Sequence, residues 1–519
     1  MLFNSYTFLL LFLPVTALVF FRLGAYNKNM AAGWLGAASL FFYGYWNPAY
    51  VGLLLGSVFF NYGVGVALAR EHIVGRERRN NLILTAGIVG NLALLGYYKY
   101  ANFFLDNVDR LFGINWPMQK ILLPLGISFF TFTQIAFLVD AWSGKAREYN
   151  FLHYLLFVTY FPHLIAGPVL HHKEMMPQFA KPATYRIGWD NITVGVMIFS
   201  LGLFKKTVLA DGVAPYATSA FHAVDTAQRL DLLMAWGGAL AYTVQLYFDF
   251  SGYSDMAIGL SRLFGVVLPL NFNSPYKAIN IIDFWRRWHM TLSRFLRDYL
   301  YIPLGGNRKG RMRRYLNLMI TMVLGGLWHG ASWNFVFWGG LHGLYLAVNH
   351  GWQSVHERFT PGRAASGTLG RLWAWSLTFA AIVVGWVFFR ATTLHGALNM
   401  LAGMVGLHGL ALPEAFEPAL ASGGVFLKET LGLRFYLGGG NLFLLTWSWV
   451  IGLLAIALFM PNTQEIMRNH RPGLDFDAGA ATGALAWRPT AAWALTTGAL
   501  SAAGLLSLSK ATEFLYYQF

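Results

Sequence analysis

The stretch Gly325-Gly326-Leu327-Trp328-His329-Gly330 lies within 42 consecutive residues, 315–356, that contain no Asp, Glu, Lys or Arg. A run of this length provides two helices that each cross the roughly 30 Å hydrocarbon core of a bilayer. If a helix begins near Arg314, His329 lies about 22 Å along it, at 1.5 Å per residue. We therefore expect His329 to be buried in the membrane beside a polar partner or water, because an ionisable side chain there is otherwise costly.

The composition of the whole chain is that of a membrane protein. Of the 519 residues, 56% are hydrophobic and 12% are charged, about half the charged fraction of a typical soluble domain. Apolar stretches of membrane-spanning length recur along the chain and predict about 11 to 13 transmembrane or re-entrant segments. The predicted fold class is therefore an all-α polytopic membrane protein, which excludes a disordered chain and a soluble α/β enzyme.

The distribution of charge predicts how the chain crosses the membrane. The net charge of +15 is attributed to basic loops on the cytoplasmic side, so no nucleic-acid partner is predicted. Basic clusters in the loops 70–80 and 305–314 place both loops in the cytoplasm and the N-terminus in the periplasm. The absence of cysteine from the sequence excludes disulfides and any thioester formed on this chain.

Residues 283–300 predict an amphipathic helix. When each residue is advanced by about 100°, the aromatic and aliphatic side chains fall on one half of the helix, and the arginines and aspartates fall on the other. Such a helix lies in the plane of the membrane or lines a cavity, since its charges exclude it from lipid. His289 lies near the edge of the apolar half. Periodicity leaves open whether it belongs to a site or only reaches interfacial water.

A second group of polar side chains is hidden in the apolar stretch 242–260. Its members are Gln245, Asp249, Ser251, Tyr253, Ser254 and Asp255. They must face protein or a water-filled cavity, because lipid offers them no partners. Two interpretations stay open for each of them: it contributes to a functional site, or it pairs helices and caps a helix break near Ser251-Gly252.

The remaining histidines raise the question of a metal site. His163 lies between two prolines, which predict a kinked or re-entrant segment, and His171 and His172 follow. No His-Glu-x-x-His spacing, cysteine or set of carboxylates accompanies these residues in the sequence, so we predict no metal. His329 itself has an alternative interpretation as a hydrogen-bonding residue that joins two helices.

Four motifs in a fixed order resemble those of a known family. They are Tyr-Phe-Asp-Phe-Ser-Gly-Tyr-Ser-Asp-Met-Ala at 247–257, Asp-Phe-Trp-Arg-Arg-Trp-His at 283–289, Arg-Asp-Tyr-Leu-Tyr-Ile-Pro-Leu-Gly-Gly-Asn at 297–307 and Leu-Trp-His-Gly at 327–330. Together they resemble the membrane-bound O-acyltransferases, and within that family the bacterial membrane subunits that O-acetylate alginate. The resemblance covers residues 1–350, where we expect a membrane core that includes the helix 283–300. Residues 351–519 are expected to add C-terminal membrane helices and an irregular segment at 392–440.

The resemblance implies both a fold and a chemistry. It implies a helical bundle around a central funnel or tunnel, in which an acyl group moves from a cytoplasmic thioester donor, expected to be acetyl-CoA, toward an acceptor outside. In this family the histidine of the Trp-His-Gly motif is catalytic, which here is His329. The histidine of the Arg-Arg-Trp-His motif, here His289, is its expected partner in catalysis.

The chemistry of acetyl transfer agrees with a buried histidine. A hydroxyl group that attacks an acetyl thioester needs a general base, and an imidazole that is neutral near pH 7 meets that need. A site that excludes water also protects the thioester from hydrolysis. Because the chain has no cysteine, two routes remain: direct transfer with His329 as the base, or relay through an acyl-carrier residue of another subunit.

The sequence thus predicts a multi-pass acyltransferase of the bacterial inner membrane. We expect it to pass acetyl groups across the membrane for O-acetylation of an exported polysaccharide such as alginate, which it reaches indirectly through periplasmic acetyltransferase or acyl-carrier partners. One alternative is a transporter or flippase of an exopolysaccharide export system, in which buried histidine and aspartate serve ion coupling. Internal repeats, which many transporters have, are absent from the sequence. A scaffold of an export complex is a further alternative and leaves the Trp-His-Gly motif unexplained.

Overall fold

The computed structural model of the protein is a bundle built almost entirely of helices, which confirms the predicted all-α fold class. It describes residues 1–70, 77–114, 116, 121–146, 150–165, 167–359, 367–476, 485–509 and 515. The helices of the N-terminal half are α1 (Leu13–Gly24), α2 (Lys28–Gly44), α3 (Ala49–Arg70), α4 (Glu77–Leu95), α5 (Ala101–Phe112), α6 (Ile127–Trp142), α7 (Phe151–Thr159), α8 (Phe161–Leu164), α9 (His172–Phe179), α10 (Trp189–Phe204) and α11 (Asp211–Asp225). They are followed by α12 (Leu232–Leu263), α13 (Ile281–Trp285), α14 (Met290–Leu296), α15 (Arg311–His329), α16 (Trp333–Phe359), α17 (Thr368–Arg390), α18 (Leu394–Met404), α19 (Glu417–Leu431), α20 (Gly440–Phe459), α21 (Thr463–Ile466) and α22 (Ala491–Leu506).

Several short elements join or extend these helices. The wider, π-helical turns Gly96–Tyr100 and Lys205–Ala210 connect α4 to α5 and α10 to α11, so that each pair forms one long helix. Two short strands, β1 (Ala411–Pro413) and β2 (Arg434–Tyr436), pair in parallel. With α18 and α19 they lie in the segment 392–440.

Five helices in the described part of the chain are long and apolar enough to cross a membrane. They are Ala49–Ala69, Glu77–Phe112, Trp189–Asp225, Thr368–Arg390 and Gly440–Phe459, and the shorter apolar helices are Phe8–Gly24, Ile127–Trp142 and Ala491–Leu506. The 32-residue α12 is not among them, because its polar side chains are buried inside the bundle and lower its apolar character. The total of 11 to 13 membrane segments stays a prediction.

The helix α12 runs without interruption through Ser251-Gly252, where one of the two interpretations placed a break. At Gly252 it approaches α10 so closely that an added Cβ would lie 2.8 Å from the carbonyl oxygen of Gly202. The glycine therefore serves a close contact between two helices and not a change in chain direction. The interpretation that these residues cap a helix break near Ser251-Gly252 is therefore wrong, because packing against α10 offsets the low helix propensity of one glycine.

The helices α15 and α16 form an antiparallel hairpin around the Trp-His-Gly motif. Gly326 packs directly on the backbone of Phe335 and Gly339, where any larger side chain would collide. Gly330 ends α15 in an extended conformation, and the ring of Phe335 occupies the space beside it. Because α15 begins at Arg311, its last residue, His329, lies about 27 Å along the helix axis.

The predicted amphipathic helix 283–300 is interrupted, so its continuity was predicted wrongly. The helices α13 and α14 are separated by a turn that ends at His289, whose φ of +42° is left-handed. The backbone amide of Met290 donates to the carbonyl oxygen of Asn271 at 2.9 Å. In a continuous helix this amide would instead donate to a carbonyl oxygen of the preceding turn. The predicted division into faces is confirmed. Phe284, Trp288, Leu292 and Phe295 are buried, whereas Arg286 and Arg297 are exposed.

The proline-flanked segment near His163 is kinked, as predicted. The helix α7 ends at Thr159, and the short helix α8 follows with Pro162 in its first turn. The backbone turns at this point because proline cannot donate the hydrogen bond that would continue α7. Ala166 of the same segment lies outside the described residues.

The C-terminal part of the chain packs on the N-terminal part. The helix α20 contacts α12, and α22 contacts α10. Residue 350, the predicted end of the membrane core, lies inside α16. One continuous helix therefore passes through the position at which the two parts of the chain were predicted to meet.

Candidate active site

His329 is buried at the C-terminal end of α15, as the sequence predicted. Its side chain is enclosed by aromatic rings, with centroid distances of 4.9 Å to Trp328, 5.3 Å to Trp338 and 5.0 Å to Phe389. These rings come from α15, α16 and α17. The imidazole is thus held in one orientation by apolar surfaces, with bulk water kept away from most of it.

His289 is also buried, at 1% exposure, so the interpretation that it reaches interfacial water is wrong. Its ring packs edge-on against Phe250 at 4.8 Å and lies 6.2 Å from the ring of Trp328. Trp328 therefore contacts the rings of both predicted catalytic histidines. Neither ring nitrogen of His289 has a hydrogen-bond partner within the described residues.

A third buried histidine, His342, was missed by the sequence analysis. It lies on α16 with 0% exposure, and its ring contacts Trp338 at 4.8 Å and Trp285 at 5.2 Å. Among the described residues neither of its ring nitrogens finds a hydrogen-bond partner. His342 lies in the same charge-free run as His329, so the argument that selected His329 could have selected it as well.

Lys99 is a further residue that the sequence analysis missed. It belongs to the π-helical turn between α4 and α5, and its ammonium group donates hydrogen bonds to the carbonyl oxygens of Trp328 and His329. A lysine inside an otherwise apolar span is a recognisable signal, because such a charge needs a protein or water partner.

An open recess leads from the surface of the bundle to His329. Its cavity volume is about 120 Å³, and its lining comprises Trp46, Lys99, residues 123–129, Ile165, Trp328 and His329. Lys99 and His329 are the ionisable side chains of this lining. The recess therefore gives a small group access to the part of the bundle where Lys99 and His329 lie side by side.

Two polar side chains of α12, Asp249 and Asp255, form ion pairs and do not line this recess. The ammonium group of Lys206 lies 2.6 Å from one carboxylate oxygen of Asp249 and 2.6 Å from one of Asp211. Lys205 pairs with Asp255 at 2.6 Å. All six predicted side chains of α12 are buried. For the two aspartates, the structure favours the interpretation that they pair helices.

His171 joins a hydrogen-bonded group with two other polar residues. Its Nδ1 lies 2.9 Å from the hydroxyl oxygen of Tyr299, and that hydroxyl donates to Asp140 at 3.0 Å. Burial and the neighbouring Asp140 carboxylate raise the pKa of Tyr299, so the tyrosine remains a donor. His172 packs between aromatic rings, and His163 bonds to the carbonyl oxygen of Phe157 at 2.9 Å.

The structure thus separates the histidines into two groups. His289, His329 and His342 surround the aromatic cluster beside the recess, whereas His163 and His171 make hydrogen bonds elsewhere in the bundle. Within the described residues, no three side chains of His, Cys, Asp or Glu converge in the way that a metal ion requires. A buried imidazole at the inner end of an open recess has the arrangement that a general base for group transfer needs.

Comparison with known proteins places this arrangement in a family. The model of the membrane-bound O-acyltransferase family, MBOAT, matches residues 111–386. This match and the relatives described next show that the chain belongs to that family. It is therefore a multi-pass membrane protein and an acyltransferase. The prediction of an acyltransferase is confirmed. The family match contradicts the two alternatives, a transporter and a scaffold.

Several named proteins are similar to this chain. A peptidoglycan O-acetyltransferase of Helicobacter pylori is 46% identical over 79% of this chain and 81% of its own. A probable alginate O-acetylase AlgI of Pseudomonas putida is 38% identical over 100% of both chains. A teichoic acid D-alanyltransferase of Streptococcus thermophilus is 28% identical over 48% of this chain and 62% of its own. The likeness to the alginate O-acetylase covers the whole chain and so extends beyond residue 350, where the resemblance seen in the sequence ended.

Proposed function

We propose that the protein transfers an acetyl group from acetyl-CoA toward a hydroxyl group of an exported polysaccharide at the bacterial inner membrane. The observation that carries this proposal is His329, buried among aromatic rings at the inner end of the recess. Relatives whose names give peptidoglycan and alginate as the acetylated material support a polysaccharide acceptor. Alginate itself is one candidate polymer among these.

The two substrates are proposed to reach His329 from opposite sides of the membrane. Along α15, His329 lies about 27 Å from Arg311, and along α4 and its π-helical turn Lys99 lies about 33 Å from Glu77. If the basic loops are cytoplasmic, the recess opens toward the periplasm. The acceptor then enters through the recess, and the thioester arrives from the cytoplasmic side.

In the proposed reaction His329 acts as a general base. The acceptor hydroxyl gives its proton to the imidazole while its oxygen forms a bond to the carbonyl carbon of the thioester. The carbon–sulfur bond then breaks, and the thiolate takes a proton from the imidazolium, which returns His329 to its neutral form. The aromatic rings around the imidazole exclude water, so that hydrolysis of the thioester does not compete. His289 orients the reacting groups through the shared contact with Trp328.

The acceptor in this reaction is either the polymer or a carrier. Because the chain has no cysteine, a covalent acetyl relay requires an acyl-carrier residue of a partner, for which a periplasmic acetyltransferase or acyl-carrier protein is proposed. The cavity of about 120 Å³ has room for a single side chain or for one sugar hydroxyl group. Its size is therefore compatible with either acceptor.

The experiment is acetyl transfer from radiolabelled acetyl-CoA by purified protein in liposomes, with a polysaccharide acceptor and periplasmic partners added. His329→Ala is expected to lower the rate by about 10² to 10⁴, the usual contribution of a general base. His289→Ala is expected to lower it by the same or a smaller factor. The control is His395→Ala, at an exposed position of α18. Wild-type rates in folded His329→Ala protein would refute the role of His329, and loss of folding in step with activity would favour a purely structural histidine.

A further inference from the structure

The ammonium group of Lys99 lies against the backbone of the last turn of α15, which carries His329. It occupies the π-helical turn Gly96–Tyr100, and such wide turns occur often at functional sites because they redirect one side chain out of helical register. The redirected side chain crosses to the end of α15. There it lines the recess together with Trp328 and His329.

The three hydrogen atoms of the Lys99 ammonium group have defined acceptors. Nζ lies 3.0 Å from the carbonyl oxygen of His329 and 3.2 Å from Oγ of Ser128, and it also bonds the carbonyl oxygen of Trp328. An ammonium group has three donors, so all of them are used. Lys99 therefore has no hydrogen atom free for a substrate and acts on His329 through the backbone and through charge.

The end of α15 is a suitable place for this cation. The last carbonyl groups of a helix have no partner inside the helix, and they carry the negative end of its dipole. Lys99 bonds two of them, and the hydroxyl of Tyr100 donates to a third, that of Leu327, at 2.7 Å. Within the described residues no carboxylate lies within 4 Å of Lys99, so the helix end is its counter-charge.

We propose that Lys99 is a positioning residue for acetyl transfer, which fixes the last turn of α15 and holds a positive charge beside His329. The proposal rests on the proposed function, because it assigns to Lys99 a part in the same reaction. When the hydroxyl attacks the thioester, the carbonyl oxygen becomes negative. A fixed ammonium group in the same recess stabilises that negative oxygen and opposes the positive charge that His329 gains as the base. We expect the first effect to be the larger, because among the described residues the oxygen has no other cation in the recess lining.

The test compares purified variants in the liposome assay. Lys99→Met keeps most of the side-chain length and removes the charge, and its kcat is expected to fall by about 10² with little change in KM for acetyl-CoA, since only the transition state loses stabilisation. Lys99→Arg restores the charge with a different shape and is expected to regain part of that loss. Tyr100→Phe removes an uncharged bond from the same turn and is expected to cost less than about tenfold. Lys181→Met, at an exposed position, controls for loss of a lysine.

The outcomes separate the role of Lys99 from the function itself. If Lys99→Met has the same kcat as the wild-type protein, the proposed role of Lys99 is overturned. The proposed function still stands in that case, because the wild-type protein transfers acetyl groups in the same assay. Equal losses in Lys99→Met and Tyr100→Phe, in step with lower thermal stability and without rescue by Lys99→Arg, would leave Lys99 as a structural cap and overturn the proposal as well. A wild-type protein without acetyl transfer, with all partners present, would refute the proposed function and with it the role of Lys99.

Discussion

Replacing Lys206 with methionine is expected to destabilise the fold strongly. The ammonium group of Lys206 lies 2.6 Å from both Asp249 and Asp211, and the three side chains are 0%, 1% and 5% exposed. With Lys206 present, this group carries one net negative charge. Without it two buried carboxylates remain, with two negative charges and no ammonium group between them.

The size of the effect follows from this arrangement. Removing one partner of a buried ion pair costs about 3–5 kcal/mol, because the remaining charge stays buried without compensation. Lys206 takes part in two such pairs, so we expect a loss at the upper end, about 5 kcal/mol. The double variant Lys206→Met/Asp249→Asn returns the group to one negative charge. It is expected to be more stable than Lys206→Met by about 2 kcal/mol, within the coupling usual for residues in contact.

The assay is denaturant unfolding of the purified variants in one detergent, followed by tryptophan fluorescence. Lys181→Met, whose side chain is exposed, is the control and is expected to unfold with the wild type. Unfolding of Lys206→Met at the wild-type midpoint would refute the reasoning. So would a double variant that is no more stable than the single one, because the penalty would then not come from uncompensated carboxylates.

Three further predictions concern packing, a polar group and topology. Gly326→Ala is expected to abolish acetyl transfer by forcing α15 away from α16. Gly340→Ala, at a position with open space around it, should keep the wild-type transfer rate and protein yield. Equal effects of the two substitutions would contradict this packing argument. Tyr299→Phe removes the hydrogen-bond donor to Asp140 and is expected to lower the free energy of unfolding by about 1–3 kcal/mol. Denaturant titration against the wild-type protein measures this loss. An unchanged unfolding midpoint would mean that the hydroxyl group is dispensable for stability. Arg78→Cys is expected to resist an impermeant thiol reagent in spheroplasts while Tyr45→Cys reacts, and labelling of position 78 from outside would reverse the topology.

The burial of His329 could be predicted because it depends on local sequence. A run of 42 residues without formal charge fixes the environment of everything in its middle, whatever the rest of the chain does. The role of Gly252 could not be read in this way. A glycine in a polar stretch indicates a break or a close contact equally well, and only the position of Gly202 on α10 decides between them.

The interruption of the helix 283–300 shows a second limit. Periodicity correctly divided its apolar and charged faces, since that division depends on residues close in sequence. The left-handed backbone at His289 depends on a bond between Met290 and Asn271, about 20 positions away along the chain. A period of 3.6 residues contains no information on such a contact, so continuity was predicted where the structure has a turn.

The position of α17 extends the site beyond the motifs that first indicated it. Phe389 lies 5.0 Å from the ring of His329, and a Cβ added to Gly385 would lie 2.8 Å from Nε2 of His342. Neither residue belongs to the predicted core 1–350, yet one forms a wall of the histidine pocket and the other leaves the space that His342 occupies. A functional membrane core must therefore include α17. A chain that ends at residue 350 would expose His329 on the side that Phe389 covers and would lose the exclusion of water that a thioester requires.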